Sequence, residues 1–306
     1  MKLNVNKKLL YWLPFISVLP FLIMLNQIDY SLYSTSPEFF WYGVAGVVAS
    51  ILGYIGAVFI FWQILLGSRF IVGVFTRNIL EVNKIHQNLG KYGTLLILAH
   101  PILASLGFFQ SYTWWFTIVD YGNLTDNVIY GKFAFLILLT IYVTSAFLRG
   151  KLKFRPWSYI HYFSYPMFAL VLLHVIDLGR FWNDSMYFQI FWICLAISFI
   201  AILIHRVCKF YGIGKYKLEL LNSEVMAGDI LVLSLKFNSD NFSHMYGQYV
   251  YLQSGRGYEA HPFSIVDYDK KVKLSSLVSR CLVNIPLNLR MPRLDLKCFS
   301  MGLMGS

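Results

Sequence analysis

Ile160–His174 reads IHYFSYPMFALVLLH, a nearly continuous apolar run of bilayer character with His161 and His174 close to its two ends. Hydrocarbon gives an imidazole nothing to hydrogen-bond, so ionisable side chains in such a segment face the protein interior and mark function. What these two rings face decides both the fold and the chemistry.

The surrounding chain agrees with a membrane setting. Of 306 residues, 57% are hydrophobic and 13% charged, and the mean hydropathy is +0.57. Soluble domains carry about 25% charged residues. Six apolar stretches are long enough to be read as spans: 9–28, 39–66, 87–108, 129–148, 160–178 and 186–205. The first follows MKLNVNKK, a basic start like that of a signal peptide. No small-residue cleavage site follows LIMLNQID, so an uncleaved span is expected.

Basic residues sort by loop. Lys2, Lys7 and Lys8 precede span one, and Arg69, Arg77 and Lys84 separate spans two and three. Arg149, Lys151, Lys153 and Arg155 separate spans four and five, while Arg206, Lys209, Lys215 and Lys217 follow span six. The alternate loops carry Asp29, Glu38, Asp120 and Asp126, with Arg180 the one cation in the last. Both termini are therefore expected in the cytoplasm of a multi-pass protein of the cell membrane. This sorting accounts for the net charge of +11 and leaves nothing that points to nucleic acid.

After Arg206 the text changes. KYKLELLN, DILVLSLKF, QYVYLQS, HPFSIVD and KKVKLSSLV are short runs of period two, broken by Gly, Asn, Asp and Ser. The expected fold is an integral membrane all-α six-helix bundle, residues 1–208, followed by a small, incomplete cytoplasmic antiparallel β-barrel, residues 209–280. Cys194, Cys208, Cys281 and Cys298 form no CxxC pair, and a cytoplasmic disulfide framework is not expected.

Span three carries His86 and His100, fourteen residues apart; span five carries His161 and His174, thirteen apart. On α-helices these separations rise about 21 Å and about 19.5 Å. Both spans run from inside to outside, so His86 matches His161 in depth and His100 matches His174. Two helices presenting imidazoles at two matched depths can hold two haems, one above the other, each iron between two neutral rings. A lone intramembrane histidine serves equally well as an interhelical hydrogen-bonding group or a proton-path residue. Four in two matched pairs favour metal. His205, at the cytoplasmic edge, is read as interfacial. Thirteen residues of regular helix leave His174 about 140° off the face of His161. A kink or widened turn at Pro166, or an irregular start containing His161, would absorb that angle.

The paired histidines on the third and fifth of six spans resemble the ferric reductase and NADPH oxidase superfamily. GQYVYLQ at 247–253 followed by HPFSIVD at 261–267 is similar to its flavin-binding segment. The resemblance covers residues 40 to 278. It implies His86, His100, His161 and His174 as ligands of two b-type haems, and His261, Pro262, Phe263 and Ser264 as FAD-binding residues. His261 would approach the diphosphate or ribityl chain, Phe263 would lie against the isoalloxazine, and Ser264 would hydrogen-bond near its reactive nitrogen. It also implies NAD(P)H as the donor and a ferric chelate or oxygen as the extracytoplasmic acceptor. No catalytic side chain beyond these is expected, since the cofactors carry the redox chemistry.

The superfamily continues into a nucleotide-binding domain, whereas this chain ends at Ser306. Residues 281–306, CLVNIPLNLRMPRLDLKCFSMGLMGS, lack the preceding alternation. Read with the third base of each codon moved to the front of the next, Cys281–Pro286 can encode Leu, Gly, a Glu/Lys/Gln position, Tyr and Thr. Ser300–Ser306 can encode Asp-Gly-Pro-Tyr-Gly in that same frame. Both correspond to segments the superfamily has there, so an out-of-frame tail is expected, with haem binding but little NADPH-driven turnover. Two other readings stand beside this one: a haem-only conduit served by a separate reductase, and a haem-free transporter with a histidine proton path.

Overall fold

The structure is a computed structural model. It describes residues 7–24, 28, 37–68, 79–109, 122, 125–183, 185–213, 217–226, 230–237, 249–253, 261–269, 274–280 and 295–298. The chain divides into two compact units, a helical one built from Asn4–Ile71 and Leu80–Ala201 and a second that is mainly Ile202–Ser306.

The described residues are mostly helical, and among them four helical stretches are long and apolar enough to cross a membrane: Phe40–Gly67, Leu80–Gly107, Thr125–Ala146 and Met186–Phe210. They correspond to expected spans two, three, four and six, so a membrane protein with four full-length spanning helices is what the fold supports. The first and fifth expected spans are shorter elements. The first is α1 (Lys7–Ile16), which contains Pro14, followed by α2 (Leu19–Met24). The fifth is α7 (Phe154–Tyr162) followed by α8 (Ser164–Val175). Between these two, Phe163 has ψ −9° and its amide bonds back to Ile160 O at 3.1 Å, a tightened last turn. The cause sits three residues later. Pro166 has no N–H for the carbonyl of Tyr162, so the ladder breaks there and restarts with Met167 N on Phe163 O at 3.0 Å.

The other helices are α3 (Pro37–Gly67), α4 (Ile79–Asn88), α5 (Thr94–Ala104), α6 (Thr125–Ala146) and α9 (Met186–Phe210). Expected span three is α4 and α5 joined by a π turn, Leu89–Gly93, and a second π turn, Ser105–Phe109, follows α5. Gln63 Nε2 of α3 donates to Leu89 O at 3.1 Å, satisfying a carbonyl in the first π turn. A Cβ on Gly107, in the second, would overlap the backbone of Gly46, so only glycine lets α3 pass so closely.

The helical core is aromatic. Phe21 of α2 stacks on Tyr54 of α3 at 5.1 Å, and Phe188 and Trp192 of α9 meet the Tyr54 ring at 5.0 and 6.3 Å. Each such pair adds about 0.5–1.5 kcal/mol beyond the area it buries. This cluster fixes α3, the element whose carbonyls hold two of the histidines described below.

The second unit is a small antiparallel sheet. Its strands are β1 (Lys217–Met226), β2 (Ile230–Phe237), β3 (Tyr249–Gln253), β4 (His261–Asp269), β5 (Leu274–Arg280) and β6 (Asp295–Cys298). The order is β1-β2-β5-β4-β3-β6, and β6 pairs with β1 as well as β3. Period two does its expected work: Leu231, Leu233, Leu235, Val250, Leu252, Phe263 and Ile265 are all buried.

Candidate functional site

Two histidine pairs form inside the helical unit. His86 of α4 and His161 of α7 have ring centroids 6.0 Å apart with planes at 64°. His100 of α5 and His174 of α8 stand at 6.3 Å and 81°. The structure thus brings together the residues that depth matching pairs. An imidazole nitrogen sits about 2.0–2.1 Å from a metal and about 1.1 Å from its own ring centre, so two rings sharing one metal stand about 6.2 Å apart. Packed aromatic rings also meet at 4.5–7 Å. Distance alone does not choose between the two.

Nδ1 of His86 meets Gln63 O at 3.0 Å, Nδ1 of His100 meets Ala49 O at 2.7 Å, and Nδ1 of His174 meets Asn127 O at 2.8 Å. A carbonyl only accepts, so each of these Nδ1 atoms carries the proton and Nε2 keeps its lone pair. Nδ1 of His161 meets the Ser145 hydroxyl at 3.4 Å. Metal-bound histidines nearly always show this arrangement, in which the outer hydrogen bond fixes the tautomer and the ring's direction.

Among the described residues, no three of His, Cys, Asp and Glu converge. Each pair could therefore offer a metal at most two protein ligands. Zinc asks for three or four protein ligands. Two opposed imidazoles suit a metal whose remaining ligands come from a macrocycle.

Glycines make room for the rings. A Cβ on Gly131 of α6 would lie 2.5 Å from His174 Nδ1, and one on Gly53 of α3 would lie 2.9 Å from His100 Nδ1. At Gly67 the nearest atom, His86 Cε1, would be at an ordinary 3.4 Å. The outer pair is thus seated against bare backbone, and the inner pair less tightly.

His100 and His174 also line a cavity with Ser50, Tyr54, Lys132 and Arg180, and among the described residues no Asp or Glu lies on its wall. Arg180 Nε donates to Ser50 Oγ at 3.4 Å. The Tyr54 hydroxyl is buried beside the backbone of Arg180 and Phe181. Two cations, a buried hydroxyl and two lone-pair nitrogens around one cavity fit an acidic, metal-centred macrocycle. Sequence reasoning passed over Lys132, although a lysine inside the apolar run NVIYGKFAFLILLT was a legible signal. Gly53 and Gly131 were equally missed, because glycine is common in membrane helices and carries no sign of what approaches it.

The tetrapeptide expected to bind flavin opens β4. His261 pairs with Leu252, Pro262 with Tyr251, Phe263 with Val250 and Ser264 with Tyr249. Alternation sends the Phe263 ring into the unit's interior, 5% exposed, and leaves Ser264 exposed on the other face. Any ligand touching Ser264 therefore approaches the outer face. Of the expected out-of-frame tail, only Asp295–Cys298 lies within the described residues, as β6.

Comparison with known proteins supports the same neighbourhood. Residues 52–173 match the family described as "Ferric reductase like transmembrane component". The "Probable respiratory burst oxidase homolog protein I" of Arabidopsis thaliana is 27% identical over 114 residues, which are 37% of this chain and 12% of that protein. The family match runs from one residue before Gly53 to one before His174, so it takes in three of the four histidines.

Proposed function

We propose that this chain, a member of the ferric reductase and NADPH oxidase superfamily, carries electrons across the cell membrane from cytoplasmic NAD(P)H to an extracytoplasmic ferric chelate or oxygen. Two b-type haems would be held in the helical unit, one by His86 and His161, the other by His100 and His174. FAD would be held by the β unit, whose strand order with β6 against β1 suits a small barrel. When bound, these groups supply hydride acceptance and one-electron transfer. The carrying observation is that the histidines form two facing pairs, and that in three of the four rings Nδ1 meets a backbone carbonyl, which leaves Nε2 its lone pair.

The protein's own part is binding, orientation and exclusion of water. The carbonyls of Gln63, Ala49 and Asn127 hold three rings in the ligating tautomer. Lys132 and Arg180 offset the two carboxylates of the outer haem, and Tyr54 offers its hydroxyl to one of them. The aromatic packing around Tyr54 keeps the cavity dry. His261, Pro262, Phe263 and Ser264 position the flavin, Ser264 from the exposed face and Phe263 as buried support beneath it. The proposed limits are 1–208 for the haem unit and 209–280 for the flavin unit, with both termini cytoplasmic and the bilayer the first partner.

An optical spectrum of the purified chain, oxidised and dithionite-reduced, with haem quantified, tests this. Two low-spin haems per chain are expected. A colourless, folded protein would instead favour the proton-path transporter. Titration with FAD separates the haem-only conduit with a separate reductase, in which no flavin binds.

A further inference from the structure

Three of the four rings lean on a backbone carbonyl, but His161 meets a side-chain assembly. Trp157 lies one turn before it in α7, and the two rings stack with centroids 5.0 Å apart and planes at 25°. Trp157 Nε1 donates to Ser145 Oγ at 3.2 Å, and the same oxygen stands 3.4 Å from His161 Nδ1. Over the indole sits the Arg149 guanidinium, 4.4 Å from the ring centroid and 5.9 Å from that of Phe154. Arg149 and Phe154 are exposed; Trp157, Ser145 and His161 are half-buried.

We propose that Trp157, fixed by Ser145 and covered by Arg149, is a positioning residue that sets the orientation of His161 and, through it, the reduction potential of the inner haem. The inference rests on the haem reading given above and names the device that tunes one of its two centres.

Hydrogen-bond chemistry makes the first step. An indole N–H only donates, so one lone pair of Ser145 Oγ is taken by Trp157. The indole thereby anchors the oxygen, which stands 3.4 Å from His161 Nδ1 and holds that edge of the imidazole. The stack makes the second step, since an indole lying on the imidazole face restricts rotation about the His161 χ2 bond. Arg149 makes the third. The two stacking distances place its charge within about 10 Å of the imidazole, about one Debye length at 0.1 M salt. A cation at that range favours the reduced, more negative state of the haem.

Among the described residues the outer pair has no such cover. His174 is held by the Asn127 carbonyl and by Gly131 backbone, groups that substitution cannot easily retune. The two haems would thus differ in how they are tuned, the inner by a replaceable cationic cap and the outer by a closed seat.

The test uses the full chain, purified with haem and titrated potentiometrically while the α band is followed, alongside low-temperature EPR. In low-spin bis-imidazole haem the g anisotropy follows the angle between the ring planes. Arg149→Gln, on an exposed side chain, should leave two haems per chain. It should lower the potential of one of them by about three- to tenfold in its reduction equilibrium, about 30–60 mV at 59 mV per tenfold for one electron. The shift should shrink as salt rises and should vanish in Arg149→Lys. Trp157→Leu should change the g values of the same haem and leave the other untouched; Trp157→Phe, which keeps the stack and loses the donor, should fall between. If the wild type binds no haem, the functional reading fails. If the wild type binds two and both Arg149→Gln and Trp157→Leu leave potentials and g values unchanged, the functional reading stands and the clamp is wrong.

Discussion

Replacing Gly131 by alanine is the sharpest probe of the outer haem seat. A methyl at that position would lie 2.5 Å from His174 Nδ1 and 2.6 Å from Cε1, where ordinary contact begins at 3.4 Å. The ring has nowhere neutral to go. Moving away from α6 stretches its 2.8 Å hydrogen bond to Asn127 O, and on the proposed reading it would also swing Nε2 off the metal. Overpacking of this kind costs about 1–3 kcal/mol, or roughly five- to 150-fold in haem affinity at about 1.4 kcal/mol per tenfold. Helix weakening is not a rival explanation, because glycine to alanine inside a helix stabilises it by about 0.8–1.0 kcal/mol.

Geometry also orders the companion variants. Gly53→Ala brings its methyl to 2.9 Å from His100, a smaller clash, and Gly67→Ala brings its own to 3.4 Å from His86, which is none. Haem per chain, measured as the pyridine haemochrome of each purified variant, should fall toward one in Gly131→Ala. It should fall partway in Gly53→Ala and stay at two in Gly67→Ala. The haem that remains in Gly131→Ala should keep its wild-type spectrum and potential. Two full haems with unaltered spectra in Gly131→Ala would refute the reasoning, as would equal losses in Gly131→Ala and Gly67→Ala.

Single alanine replacements of His86 or His161 should remove one haem and leave the other's spectrum intact. His100 and His174 should remove the complementary one, with the double variant His86→Ala/His161→Ala no worse than either single. Asn127 Nδ2 donates to Leu173 O at 3.0 Å and Ile176 O at 2.6 Å, closing the end of α8 beside His174. Asn127→Ala should cost about 1–3 kcal/mol for the two bonds, read as a lower thermal midpoint for loss of the haem band. Ser264→Ala should weaken FAD binding to the purified chain about tenfold, the loss of one hydrogen bond at about 1–1.5 kcal/mol. Flavin fluorescence quenching measures it, and equal affinities would remove Ser264 from the site.

How much of this was legible follows from what each residue type can reveal. Histidines in a greasy segment announce themselves, and depth matching paired them because rise per residue is a property of any helix. Phase is not so robust. The 140° mismatch between His161 and His174 assumed a single regular helix, and the break at Phe163 ahead of Pro166 removes that assumption. The same cause divides the first and fifth apolar runs into shorter helices: an apolar run shows where lipid is tolerated and says nothing of where the ladder of hydrogen bonds stops. The π turn at Leu89–Gly93 was invisible, because it arises from Gln63 of another helix receiving a carbonyl and from Gly93 admitting Phe59 at 3.1 Å from where a Cβ would be.

The deepest blind spot concerns the groups that orient the rings. Gln63 O and Ala49 O are fourteen residues apart on α3, the same interval that separates His86 from His100 on the antiparallel neighbour. Two helices packed in that register present carbonyls and imidazoles at matching heights without any side chain recording it. Every residue owns a carbonyl, so sequence cannot mark the ones that matter. What it can mark is the absence of a Cβ where a ring must come close. Gly53 stands one turn from Ala49, and Gly131 one turn from Asn127, so each carbonyl that orients an outer ring is followed one turn later by the glycine that ring lies against. A glycine four residues after a helical carbonyl, facing an intramembrane histidine, is therefore the trace such a seat leaves in sequence. At the inner pair the tighter constraint moves onto Trp157 and Ser145, side chains that any text displays.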